Sequence, residues 1–149
     1  MKEAMTNKEL TIFYTDDDQE DIDFFREIVD IIDSRVKVVA QSNGQELINA
    51  LNNPPPTPYL VFLDINMPGM NGLETLRKVR ESEQHKNLPV VMFSTSSDEL
   101  TIEESKKLGA SFYVPKSGAF DKLKKSIEHT LKMNWDNFPH VKSEFLYSV

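Results

Sequence analysis

The sequence predicts an α/β protein built on a parallel five-stranded sheet with helices on both faces. Two patterns carry this. Short apolar runs alternate five times with stretches of helical periodicity. The runs are also almost continuously apolar or aromatic, as in YLVFL at residues 59–63, the mark of strands covered on both faces. A third feature concerns function: the runs stop abruptly at Asp16, Asp64, Ser94 and Pro115-Lys116. In open α/β sheets, ligands gather outside the carboxyl ends of the strands.

Residues 1–9 are polar and read as an arm. Leu10–Thr15 is the first strand, followed by DDDQEDID, six acids in the eight residues from Asp16 to Asp23. Phe25, Ile28, Val29 and Ile32 then recur at helical spacing, so the second half of the acidic run opens a helix. Acids in a first helical turn suit the macrodipole and account for Asp18, Glu20, Asp21 and Asp23. They do not account for Asp16 and Asp17, which sit at the strand end. A strand at 36–40 and a short helix at 44–51 follow, with Leu47, Ile48 and Leu51 facing inward.

Residues 52–58, NNPPPTP, cannot be helical throughout and form a loop. The central strand ends at Asp64, and Met67-Pro68-Gly69 with Asn71-Gly72 supply turn chemistry. Leu73, Leu76 and Val79 mark the next helix, and PVVMF at 89–93 the next strand. The helix at 98–108 is weakly amphipathic, with only Leu100, Ile102 and Leu108 to bury, and Gly109 caps it. SFYV at 111–114 is the last strand. Phe120, Leu123, Ile127 and Leu131 form the stripe of the last helix.

Composition bounds the function. At 149 residues the chain has the size of one domain, with 39% hydrophobic and 28% charged residues and no cysteine. Disulfides and thiolate metal sites are excluded. No apolar stretch is long enough for a membrane span, and MKEAMTNKEL is too polar for a signal peptide, so a cytoplasmic location is expected. A net charge of −7 argues against nucleic acid or an anionic membrane as partner. His85, His129 and His140 have no metal-site spacing. Neither a phosphate-binding G-x-x-x-x-G-K-[ST] loop nor a G-x-S-x-G elbow occurs.

Asp64 alone is ambiguous, since one Asp before a turn can simply cap a helix. The segment VFLDINMPGMNG, however, closely resembles the phospho-acceptor segment of bacterial response-regulator receiver domains. The resemblance covers residues 10–132 and implies the doubly wound, flavodoxin-like strand order 2-1-3-4-5 with five helices. It makes Asp64 the phospho-acceptor, and the partner a histidine kinase or histidine phosphotransfer protein. Asp16, Asp17 and Asp64 end the first and third strands, which flank the switch point of that order. Two carboxylates about 4 Å apart repel by roughly 4 kcal/mol at an effective dielectric near 20, so three gathered together need a countercharge. An all-oxygen donor set suits a hard cation, and Mg²⁺ also coordinates phosphate. By the family's pattern Asp17 binds the metal directly and Asp16 through water, joined by Asp64 and the backbone carbonyl of Asn66; Asp18 is an alternative within DDD.

In the same pattern Lys116 is the conserved cation, Ser94 the hydroxyl switch residue and Tyr113 the rotating aromatic. The resemblance thus implies a signalling protein that phosphorylates and dephosphorylates only itself, not an enzyme, and that switches a face for an unknown downstream protein. One departure is Ser117, where the family usually carries proline after the lysine. A pseudo-receiver that binds partners without phosphorylation, and a haloacid-dehalogenase-like phosphohydrolase, are the alternatives. The latter needs a second Asp where this chain has Asn66. Residues 133–149 are too short for an output domain. With Trp135, Phe138, Phe145, Leu146 and Tyr147, this tail is expected to pack on the domain or extend a sheet edge, a partner-docking peptide being the alternative.

Overall fold

The computed structural model describes residues 10–53, 58–133, 135 and 145–147; the N-terminal arm, residues 54–57 of the proline-rich loop, Phe138 and His140 lie outside them. Strands β1 (Leu10–Thr15), β2 (Val36–Gln41), β3 (Leu60–Leu63), β4 (Val90–Ser94) and β5 (Phe112–Pro115) alternate with helices α1 (Gln19–Ile32), α2 (Gly44–Asn52), α3 (Gly72–Glu81), α4 (Glu99–Lys107) and α5 (Phe120–Lys132). The strands form one parallel sheet in the order β2-β1-β3-β4-β5. This is the doubly wound order the sequence pointed to.

Local chemistry starts four of the five helices. Asp18, Asn43, Asn71 and Asp98 each accept backbone N–H groups at the N-caps of α1, α2, α3 and α4, and Asn71 forms a reciprocal capping box with Glu74. Burial then holds them against the sheet. One core layer joins Ile12, Tyr14, Phe62 and Phe93 of the sheet to Phe25 and Ile28 of α1 and Ile127 of α5. The opposite layer joins Phe13, Val61, Leu63 and Met92 to Leu47 of α2 and Leu76 of α3. Each such side chain contributes about 1.5–3 kcal/mol when fully buried.

Two expected core positions are surface positions. Leu100 is 79% exposed. The inward face of α4 runs through Ile102, Ser105 and Leu108, and a residue two places before Ile102 lies on the far side of a helix that turns about 100° per residue. Phe120, at the first residue of α5, belongs to neither layer; its ring meets that of the partly exposed Phe24 at 5.8 Å. Helix α4 consequently buries only Ser105 fully and is the least anchored of the five.

The turn after β3 folds back tightly. The Gly72 amide donates to the Ile65 carbonyl at 2.9 Å, and a Cβ at Gly72 would collide with the Asp64 carbonyl and come within 2.6 Å of the Ile65 Cα. Since the obstacle is backbone, Gly72→Ala is expected to cost about 2–3 kcal/mol through overpacking. Urea denaturation checks this, and an unchanged midpoint would contradict the close approach.

Candidate functional site

Strand register brings the site together. β1 and β3 pair Thr15 with Leu63, so Asp16 and Asp64 are the next residues out of the sheet, and the Asp64 amide donates to the Thr15 carbonyl at 3.0 Å. On the other flank, Ser94 of β4 pairs with Pro115 of β5, and the Lys116 amide donates to the Ser94 carbonyl at 2.7 Å. Asp16, Asp64, Ser94 and Lys116 therefore emerge at one edge of the sheet. Asp16, Asp64 and Ser94 are buried there, while Asp17 is exposed at the mouth.

Asp16, Asp17 and Asp64 each bring a carboxylate oxygen within 4.8 Å of the others. Around an octahedral ion with bonds of about 2.1 Å, neighbouring oxygens lie about 3 Å apart and opposed ones about 4.2 Å, so the three carboxylates have to draw inward to share one ion. The donor set is all oxygen, which fits a hard divalent cation. Asp18 is not part of it; its carboxylate accepts the Glu20 amide at 2.9 Å as the cap of α1.

Lys116 balances part of this charge. Its Nζ donates to Asp16 Oδ2 at 2.9 Å and to Asp21 Oδ2 at 3.2 Å, and stands 3.8 Å from Asp64 Oδ1. Ser117 thus does not keep the lysine from the acids; its own Oγ accepts the Ala119 amide at 3.1 Å, in a turn leading into α5. The aromatic face of Phe93 lies 5.5 Å below Nζ. Burial and the neighbouring Asp16 carboxylate push the Asp64 carboxyl up to about 7, against the pull of Lys116 and of backbone N–H groups of Asn66 and Ile65. Lys116 is held above the ordinary lysine range: burial works against its charge, but the hydrogen bond it donates to Asp16 and the charges of Asp64, Asp16 and Asp21 outweigh it.

Ser94 and Tyr113 lie on the other side of the cleft. Ser94 Oγ accepts the Ser96 amide at 3.2 Å and the Asn66 side-chain amide at 3.5 Å. The buried Tyr113 hydroxyl donates to the Ser96 carbonyl at 2.8 Å. The sequence reading missed two contributors. Tyr14 donates its hydroxyl to Asp16 Oδ2 at 2.7 Å, and burial, reinforced by Asp16, raises its pKa, so it remains a neutral donor. The signal was its position two residues before Asp16, on the same face of a strand. Asp21, read only as a first-turn acid of α1, reaches Lys116.

A family model, the response regulator receiver domain, matches residues 12–128, from β1 into α5. The chain belongs to this family. Chemotaxis protein CheY-3 of Vibrio cholerae is 28% identical over 130 residues, covering 85% of this chain and 95% of that protein. The nitrate/nitrite response regulator NarL of Escherichia coli is 40% identical over 89 residues, 58% of this chain. The protein-glutamate methylesterase/protein-glutamine glutaminase of Trichodesmium erythraeum is 37% identical over 81 residues, 53% of this chain. The chain spans only 38% and 22% of the lengths of those last two relatives. Among solved structures, the phosphorylated cyanobacterial phytochrome response regulator RcpA superimposes with a TM-score of 0.77 at 27% identity, covering 91% of this chain and 100% of that one. Receiver domains are signalling proteins of two-component systems, phosphorylated by histidine kinases or phosphotransfer proteins, and they bind Mg²⁺ at an acidic pocket. Neither the pseudo-receiver nor the phosphohydrolase alternative gains support. No helix among the described residues is long and apolar enough to cross a membrane.

The raised Asp64 pKa has a sign consequence for the metal-free receiver. Between the unfolded value near 4 and the folded value of about 7, the native state binds a proton that the unfolded chain does not, so Asp64 lowers stability as pH rises through that window. In chelator at pH 7.5, Asp64→Asn is therefore expected to raise unfolding free energy by up to about 4 kcal/mol, three pKa units at about 1.4 kcal/mol each. At pH 5, about one unit above the unfolded value, the gain should fall to well under half, and it should vanish below pH 4. An equal gain at both pH values in urea titrations would exclude this origin.

Proposed function

We propose that this chain is a phospho-accepting switch in which Asp64 takes a phosphoryl group from a histidine kinase or phosphotransfer protein. Residues 10–132 form the receiver and residues 133–149 a tail appended to it. The observation that carries the reading is the position of the Asp64 carboxylate, 3.8 Å from Lys116 Nζ and within 4.8 Å of oxygens from Asp16 and Asp17. The phosphorylated relative RcpA, alike over most of both chains, is consistent with it.

The chemistry follows from the residues. Asp64 attacks phosphorus with a carboxylate oxygen; a P–O bond forms as the P–N bond to the donor imidazole breaks, and the electron pair leaves with the imidazole. Asp16, Asp17, Asp64 and the Asn66 backbone carbonyl would hold Mg²⁺. When bound, Mg²⁺ supplies charge neutralisation of the transferring oxygens, the main demand of phosphoryl transfer. Lys116 neutralises a second oxygen and gives up its ion pair with Asp21 to do so. Ser94 donates its hydroxyl to a third. Moving Ser94 Oγ disturbs the Ser96 amide bound to it, and with it the Tyr113 hydroxyl bound to Ser96. A downstream protein reads the resulting face around α4, β5 and α5, where weak anchoring of α4 makes rearrangement inexpensive.

Incubation with acetyl phosphate is expected to add one phosphoryl mass to the intact protein, only with Mg²⁺ present and not in Asp64→Asn. Lys116→Ala should slow labelling by about 100-fold, the scale of losing one charge-stabilising donor. Labelling of Asp64→Asn, or labelling in chelator, would overturn the assignment.

A further inference from the structure

β5 is an outer strand of the sheet, and such an edge leaves alternate backbone groups unpaired. Here both outward groups of Tyr113 are taken by the tail. The Tyr113 amide donates to the Phe145 carbonyl and the Tyr147 amide donates to the Tyr113 carbonyl, each at 2.9 Å. Leu146 thereby forms a parallel bridge opposite Tyr113. Side chains add to the backbone contact: Phe145 lies 6.4 Å from the Tyr113 ring and Tyr147 5.1 Å from the His129 ring of α5. Phe145 and Leu146 pack on one core layer and Tyr147 on the other.

The residue gripped is the one tied to the cleft. Ser94 Oγ holds the Ser96 amide at 3.2 Å, the Ser96 carbonyl holds the Tyr113 hydroxyl at 2.8 Å, and Tyr113 holds the tail through its backbone. Each link is a single hydrogen bond or a pair, and among the described residues the β5-edge contact covers three of the tail, so a shift of Ser96 acts on a short element. We infer that Phe145–Leu146–Tyr147 is an internal strand that caps the β5 edge in the unphosphorylated protein and is released when Asp64 is phosphorylated. Release bares the Tyr113 N–H and C=O on an edge that a partner's extended segment can pair with. This rests on Asp64 being the phospho-acceptor. Since docking and phosphorylation share Tyr113, the coupling is reciprocal: loosening the tail favours the phosphoryl-bound state.

The test uses the full chain and amide hydrogen exchange resolved by NMR. The Tyr113 amide should be protected in the resting protein and lose about fivefold or more of that protection with beryllofluoride and Mg²⁺, a reversible phosphoryl mimic. Tyr147→Pro removes the amide that binds the Tyr113 carbonyl; it should expose Tyr113 without any ligand and tighten beryllofluoride binding by a similar factor. Tyr147→Phe keeps both the amide and the ring and should follow the wild type. If acetyl phosphate and Mg²⁺ add no phosphoryl mass to the wild type, the acceptor reading falls and this inference with it. If mass is gained but Tyr113 protection is unchanged by beryllofluoride, the inference alone falls. It also falls if Tyr147→Pro exposes Tyr113 yet binds beryllofluoride no more tightly than Tyr147→Phe.

Discussion

The structure depends on an uneven charge balance at the carboxyl end of the sheet. Among the described residues, four carboxylates, those of Asp16, Asp17, Asp21 and Asp64, face one ammonium group, that of Lys116. Two of the acids are almost wholly buried, where an unpaired charge is costly. The cluster persists because the β1–β3 register leaves Asp16 and Asp64 no other place to go. The surroundings soften the repulsion. Asp16 spends both oxygens on hydrogen bonds, to Tyr14 and Lys116 at Oδ2 and to the Asp18 amide at Oδ1. Asp64 yields instead by holding its proton up to about pH 7. A site with this excess of negative charge gains from any added positive charge.

The two sides of the cleft are built differently. Asp16 and Lys116 rest on an aromatic column: Tyr14 stacks on Phe25 at 4.2 Å, Phe25 meets Phe62 at 4.9 Å, and Phe62 meets Phe93, which lies beneath Lys116. Every ring of the column is buried, and side chains so packed do not move singly. Across the cleft, Ser94 leads into a loop and then into α4, which buries a single residue. The side of the cleft that carries Asp16 and Lys116 is thus packed throughout, whereas beyond Ser94 the loop and α4 have little to hold them.

Much of this was legible in the sequence, for identifiable reasons. Strands covered on both faces cannot alternate, so runs such as LVFL announce a buried parallel sheet, and the polar residues that end them had to surface at its carboxyl edge. Asp16, Asp17, Asp64, Ser94 and Lys116 were found that way and by the resemblance of VFLDINMPGMNG to a known segment. Periodicity failed where packing is thin: Leu100 was assigned inward because α4 offers so few apolar residues that its phase is poorly determined. Asp21 was missed because a first-turn acid already has a sufficient local explanation in the helix dipole, and only the three-dimensional return of Lys116 to α1 shows a second use. The tail's aromatics marked it as ordered, but nothing in a linear chain says which of two sheet edges it takes.

That choice of edge has a physical logic. β2, the other outer strand, follows a helix packed at several buried positions and pairs with β1 along all six of its residues. β5 pairs with β4 over four residues and lies beside the weakly anchored α4. An added strand contributes more order where less exists, so the tail stiffens the part of the receiver that has least to stiffen it. The same contact sits on the backbone of the residue whose hydroxyl reaches towards Ser94. A contact that helps to hold this arrangement therefore opposes departure from it.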